Sequence, residues 1–166
     1  MTSKPRQVTD RAEIGGQPVS IVIPCKAEYV GLCRLLAGVV GASESLEAED
    51  IADLKLVVTE ACTCFLGGFD SGLGQGEERK AGRLPESLRV DFVVTPKEWE
   101  VTVTDAQGNY RIPADSRCAP AGLGGLGLMI IEALVDTVQH TESDAAGSVI
   151  RLVKRLSPRT SGVSRT

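Results

Sequence analysis

The chain has a single histidine, His140, and none of its five cysteines (Cys25, Cys33, Cys62, Cys64, Cys118) form a C-x-x-C pair. Four-coordinate zinc sites draw on several His and Cys ligands at short fixed spacings, so the usual zinc sets are excluded and no metal site is expected. No apolar run approaches the roughly 18 residues of a membrane span, and the opening M-T-S-K-P-R-Q-V-T-D lacks the apolar centre of a signal peptide. No membrane partner is expected, a cytoplasmic location is, and with it free thiols. Basic residues form no stripe, and the net charge is -4, which argues against a direct nucleic-acid partner. There is also no G-x-x-x-x-G-K-[ST] loop, so a P-loop nucleotide site is excluded.

What is present is one domain's worth of chain, 166 residues, long enough to bury a core without staples. Its most informative stretch is Asp50 to Phe65, D-I-A-D-L-K-L-V-V-T-E-A-C-T-C-F. At about 100° per residue, Ile51, Leu54, Val58, Ala61, Cys62 and Phe65 fall on one stripe, the inner face of a packed helix. Asp53, Val57, Glu60 and Cys64 fall nearly opposite, with Glu60 and Cys64 one turn apart. Leu56, Val57 and Val58 leave little of this helix polar, so it is expected to be covered on both sides. A carboxylate enclosed in that way is suited to serve as a base or ligand.

The rest of the chain divides around that helix. Residues 1–16 read as a loose tail, 17–156 as the folded domain and 157–166 as a second tail. Gln17 to Ile23 alternates as a strand closed by Pro24, and Lys26 to Val40 follows as a helix. The Gly-rich, charged stretch from Asp70 to Glu86 has nothing periodic to bury and reads as a long loop. Leu88 to Thr95 and Glu98 to Thr104 form a hairpin through Pro96-Lys97, with Val90, Phe92, Val94 and Trp99, Val101, Val103 facing inward. The run Gly122 to Gly127 leads into a helix expected over Leu128 to Val138, and His140 is expected to be a surface or helix-end residue with no chemical task. Ser148 to Leu156 is the last strand. Strand, helix, helix, hairpin, helix, strand predicts an α/β (α+β) two-layer sandwich, a mixed and mostly antiparallel sheet with helices on one face.

Two further features carry chemistry. Glycines before a helix let backbone N–H groups approach an oxyanion, and the helix start offers the positive end of its dipole, a combination that fits phosphate; taken alone, such a run also suits a flexible hinge. Asp105 ends the second hairpin strand, a position that also suits an aspartate capping a turn. In chain order the constellation is a helix with an enclosed Glu, a strand ending in Asp, and a glycine-rich loop before a helix.

Across I-P-C-K-A-E-Y-V, K-L-V-V-T-E-A-C-T-C, G-G-L-G-L-M-I-I-E-A-L-V-D and V-I-R-L-V-K-R-L, nearly the whole folded region resembles the Bergerat-type ATPases of the GHKL group. Within that group it is similar to the RsbW-like anti-sigma factors that double as serine-protein kinases. The resemblance implies ATP or ADP as the nucleotide, Glu60 as the base, and Cys64 at the place of the Asn that holds the nucleotide's Mg²⁺. It implies Asp105 and Ser148 beside adenine, Gly108 in the element that follows Asp105, and Gly125, Gly127 and Leu128 near the phosphates. For partners it implies a sigma factor, a STAS-domain anti-anti-sigma factor and a second copy of the chain, with Arg34 on the docking face.

The chain departs from the family pattern at two places. Cys64 offers sulfur where Mg²⁺ takes oxygen, and D-A-Q-G-N stands where the family reads D-x-G-x-G, with Gly108 one place late and Asn109 for the last glycine. Two expectations therefore stay open: an ATP-dependent kinase acting on a serine of a STAS-type antagonist, or a GHKL binding module that sequesters a protein without chemistry. Cys64 and Cys118 further raise a disulfide that would close over the nucleotide.

Overall fold

The computed structural model describes residues 16–66, 85–112 and 126–157. Both expected tails and the Asp70 to Glu86 loop lie almost wholly outside those residues, as do Cys118 and Gly125. Within them the elements run β1 (Val19–Pro24), α1 (Ala27–Ser43), α2 (Ala48–Phe65), β2 (Ser87–Val94), β3 (Glu98–Asp105), α3 (Leu126–Leu134), β4 (Thr137–Ser143) and β5 (Gly147–Arg155). The five strands form one sheet in the order β1-β2-β3-β5-β4, and every pairing is antiparallel. The expected two-layer α+β sandwich is therefore the architecture.

Helix α2 is the centre of the helical layer. Leu54, Val58, Ala61, Cys62 and Phe65 are fully buried, as the stripe predicts, and so are Val57 and Cys64 on the far side. It packs against α1 and α3, which covers Val57 and Cys64, whereas Leu56, expected to be covered with them, is 38% exposed. Burying each such Leu, Val or Phe contributes roughly 1.5–3 kcal/mol, so this helix is a main source of stability.

Small residues on α1 allow the close approach: a Cβ at Gly41 would come within 2.8 Å of Ile51 Cγ1, and one at Gly38 within 2.7 Å of Lys55 Cε. The first helix accordingly runs on through Gly41 to Ser43 instead of ending there. Across this interface the thiols of Cys33 and Cys62 hydrogen-bond. That bond holds Cys33 below its ordinary range and, together with burial, pushes Cys62 up. Both are free and buried, as is Cys25, in keeping with packing roles.

The sheet presents alternate residues to the helices. Leu88, Val90, Phe92 and Val94 on β2 and Trp99, Val101 and Val103 on β3 are buried, and with Leu152 and Ile150 on β5 they floor the core. Lys154 ties the sheet to α2 through Asp53 at 2.6 Å and Asp50 at 2.9 Å. Burial opposes its charge, but the hydrogen bonds to Asp53 and Asp50 outweigh burial and raise its pKa.

The third helix and its sequel differ from expectation. The helix begins at Leu126 and stops at Leu134, and Thr137–Ser143 is a strand that pairs with β5. Val138, His140 and Glu142 lie opposite Leu152, Ile150 and Ser148 and share their face. His140 is thus mid-strand, beneath the helices, and not at a helix end. A free edge of β5 outweighed the apolar run that continues the helical pattern.

The β4–β5 turn needs Gly147, which has φ +63° and whose Cβ would lie 2.4 Å from the Tyr110 carbonyl oxygen. Gly147→Ala should therefore destabilise the fold by at least about 2 kcal/mol. Urea unfolding measures this directly, and an unchanged midpoint would count against the hairpin.

Candidate functional site

The enclosed carboxylate and the glycine run, far apart in sequence, meet in space. Glu60 is half-buried on α2, and a Cβ added at Gly127 would sit 2.6 Å from its Oε2. Only glycine lets the first turn of α3 lie that close to the carboxylate. One turn further along α2, Cys64 is 3% exposed, with Sγ 3.3 Å from the Glu60 carbonyl oxygen. Cys64, Leu128, Ile131, Val138, His140 and Ile150 are among the residues around a cavity of about 490 Å³ between α2, α3 and the β4–β5 hairpin. That volume lies in the range of small-molecule sites, which are mainly apolar with a few polar groups.

Asp105 and Ser148 are the buried polar side chains among the described residues. The Asp105 carboxylate accepts backbone N–H bonds from Gln107 at 3.0 Å and from Asn109 and Tyr110 at 2.9 Å each. The D-A-Q-G-N segment thus wraps around its own aspartate, with Gly108 at φ +72° making the turn. A carboxylate has about four lone-pair positions, so these three bonds take up most of its capacity. Ser148 Oγ donates to Glu142 Oε1 at 3.0 Å and accepts the Ile112 N–H at 2.9 Å. The Ser148 N–H donates to the Tyr110 carbonyl, so the segment after Asp105 is strapped to β5.

Burial pushes the thiol of Cys25 from its ordinary 9.0 to about 11, with the charge of Asp105 adding to the shift. The folded chain therefore keeps a proton that the unfolded chain releases, and stability should fall as pH rises from about 9 to 11. Urea midpoints across that window should decline less steeply for Cys25→Ala than for the unsubstituted chain.

Not every expected residue belongs to this cluster. Arg34 is exposed on α1 beside Leu35 and Val39, which are 68% and 65% exposed, and it forms no ion pair among the described residues. Gly125 and Cys118 lie outside the described residues. Cys64 is disulfide-bonded, which departs from the expectation of free thiols throughout. Sulfur in that state offers nothing to a hard ion such as Mg²⁺, and no group of three or more His, Cys, Asp or Glu among the described residues could hold a metal. No described helix is long and apolar enough to cross a membrane.

Sequence reasoning missed Glu142 and His140. The signal was the alternation of Val138, His140 and Glu142, a period-2 pattern that marks a half-buried strand.

Of the five cysteines, Cys25, Cys33 and Cys62 are free. Unfolded, unreduced chain should therefore titrate with a thiol reagent at fewer than five equivalents, and reductant should restore all five. Five equivalents without reductant would remove the disulfide from the site.

Comparison with known proteins bears on the family and the fold. Residues 23–154 match the histidine kinase-like ATPase domain family. A serine-protein kinase RsbW of Halalkalibacterium halodurans is 30% identical over 158 residues, covering 90% of this chain and 93% of that protein. A serine-protein kinase RsbW of Bacillus pumilus is 29% identical over 131 residues, covering 73% and 76%. The RsbU and RsbW domains of a Mycobacterium tuberculosis protein superpose with a TM-score of 0.54 at 17% identity, covering 84% of this chain and 32% of that one. The last likeness bears on the fold alone.

Proposed function

From the premise that this chain belongs to the histidine kinase-like ATPase domain family and is RsbW-like, we propose that it is an ATP-binding regulator that controls a sigma factor by partner switching. In this role it alternates between that factor and a STAS-domain antagonist. The observation that carries the reading is the close approach of Gly127, one residue before Leu128, to the carboxylate of Glu60, one turn before Cys64, where Leu128 and Cys64 line the cavity. A base on one helix and a phosphate-compatible helix start on another are thereby brought to one place.

ATP supplies a transferable phosphoryl group when bound. Glu60 would accept the proton of an antagonist serine hydroxyl as that oxygen bonds to the γ-phosphorus and the bond from phosphorus to the bridging oxygen breaks, releasing ADP. Gly127 and Leu128 present the start of α3 to the phosphates, while Asp105 and Ser148 lie on the adenine side. The exposed Arg34, flanked by exposed Leu35 and Val39, supplies a cationic and apolar face to a protein partner. A homodimer and a cytoplasmic site of action complete the reading, as does the 17–156 domain with its two tails.

The disulfide-bonded Cys64 favours a second reading, in which the same module holds nucleotide and partner without phosphoryl transfer. The two readings separate in one set of measurements: calorimetric titration with ADP and ATP, with and without Mg²⁺, then transfer of labelled phosphate to a STAS-domain antagonist. Under the kinase reading Glu60→Gln should bind nucleotide normally and lose about 10²–10⁴-fold in transfer rate. Binding with no transfer, followed by transfer in Cys64→Asn, would identify position 64 as what silences the chemistry. Arg34→Ala should weaken partner capture about tenfold and leave nucleotide affinity unchanged. If ADP and ATP both fail to bind, the nucleotide reading fails.

A further inference from the structure

We propose that His140 is a hydrogen-bonding residue for the purine base in this cavity, an assignment that rests on the reading of the site as nucleotide-binding. The His140 side chain is nine-tenths buried and its Nε2 has no hydrogen-bond partner. Glu142 Oε1 is 3.7 Å away and accepts a hydrogen bond from the Ser148 hydroxyl. A buried nitrogen left in this state costs roughly 1–3 kcal/mol, and packing alone does not require it. Val138, two residues earlier on the same face, fills the equivalent place with an apolar side chain.

His140 lines the cavity, and its position in the sheet decides which part of a nucleotide it meets. It stands opposite Ile150, one inward-facing row from the Glu142–Ser148 pair. The walls beside it, Leu128, Ile131, Val138 and Ile150, are apolar and suit the faces of an aromatic ring. Glu132 lines the same cavity and Glu142 adjoins it, so two carboxylates disfavour an anionic polyphosphate there. A heteroaromatic base offers ring nitrogens and exocyclic groups to the imidazole and brings no charge. Either neutral tautomer can act, as donor to a ring nitrogen or acceptor from an amino group.

The test compares full-length unsubstituted protein with His140→Leu and His140→Gln by calorimetric titration, using ADP, adenosine and pyrophosphate as probes. Melting temperatures of the unliganded proteins are measured alongside. His140→Leu should bind ADP and adenosine each about five- to tenfold more weakly. It should bind pyrophosphate as the unsubstituted protein does and melt no lower when unliganded. His140→Gln, which keeps a hydrogen-bonding head, should recover most of the ADP affinity. Equal ADP affinity in His140→Leu would overturn the role of His140 alone, as would an equal loss for pyrophosphate. A lower unliganded melting temperature for His140→Leu, unrescued in ADP binding by Gln, would make the imidazole structural and overturn it too. No ADP binding by the unsubstituted protein would overturn the nucleotide reading and this assignment together.

Discussion

The enclosure of α2 is the constraint on which the remaining structure depends. Its Leu54, Val57, Val58, Ala61, Cys62, Cys64 and Phe65 are buried, and α1, α3 and the sheet all close against it, leaving one face with Ala52 and Leu56 exposed. The helix cannot turn about its axis without exposing one apolar group to bury another. Its few polar residues are therefore held in fixed directions: Asp50 and Asp53 toward Lys154 of the sheet, and Glu60 toward α3. The rigidity that packing gives the helix is what orients the carboxylate of the candidate site.

The sheet contributes in a complementary way. Asp105, Ser148 and Glu142 stand toward one end of neighbouring strands β3, β5 and β4, with Val103, Ile150 and His140 forming the next row inward. Polar groups thus border one end of an otherwise apolar floor, and the cavity lies where that floor passes between α2 and α3. Much of the polar chemistry is satisfied within the chain, Asp105 by three backbone N–H groups and Ser148 by Glu142 and Ile112. His140 Nε2 is left over. A site built this way keeps its shape when empty and has few polar groups uncommitted for a ligand, as expected of a preorganised pocket.

Cys64 joins the two halves of the functional question. On the same helix as Glu60 and one turn away, it is buried, borders the cavity and is disulfide-bonded. In the proposed reading Glu60 is the base and Gly127 lies against it, whereas a bonded sulfur stands where that reading would want a metal-holding oxygen. Phosphoryl transfer depends on neutralising charge at the phosphates as well as on a base. In that reading nucleotide binding and chemistry can part company at this position while the fold remains intact.

The sequence by itself determined the inner stripe of α2, the inward faces of the β2–β3 hairpin and, from the order of elements, the two-layer class; Asp105 and Ser148 were singled out by the family resemblance. The first two rest on local periodicity within one short stretch. The tertiary structure decided that Glu60 lies against Gly127, that Cys64 is bonded, and that Thr137–Ser143 is a strand carrying His140 and Glu142 inward. Periodicity reports which face of a segment is apolar, but not which other segment will cover it. Between Leu134 and Gly147 the pattern admits helix or strand, and only the unpaired edge of β5 selects the second by offering hydrogen bonds to a backbone that would otherwise need its own.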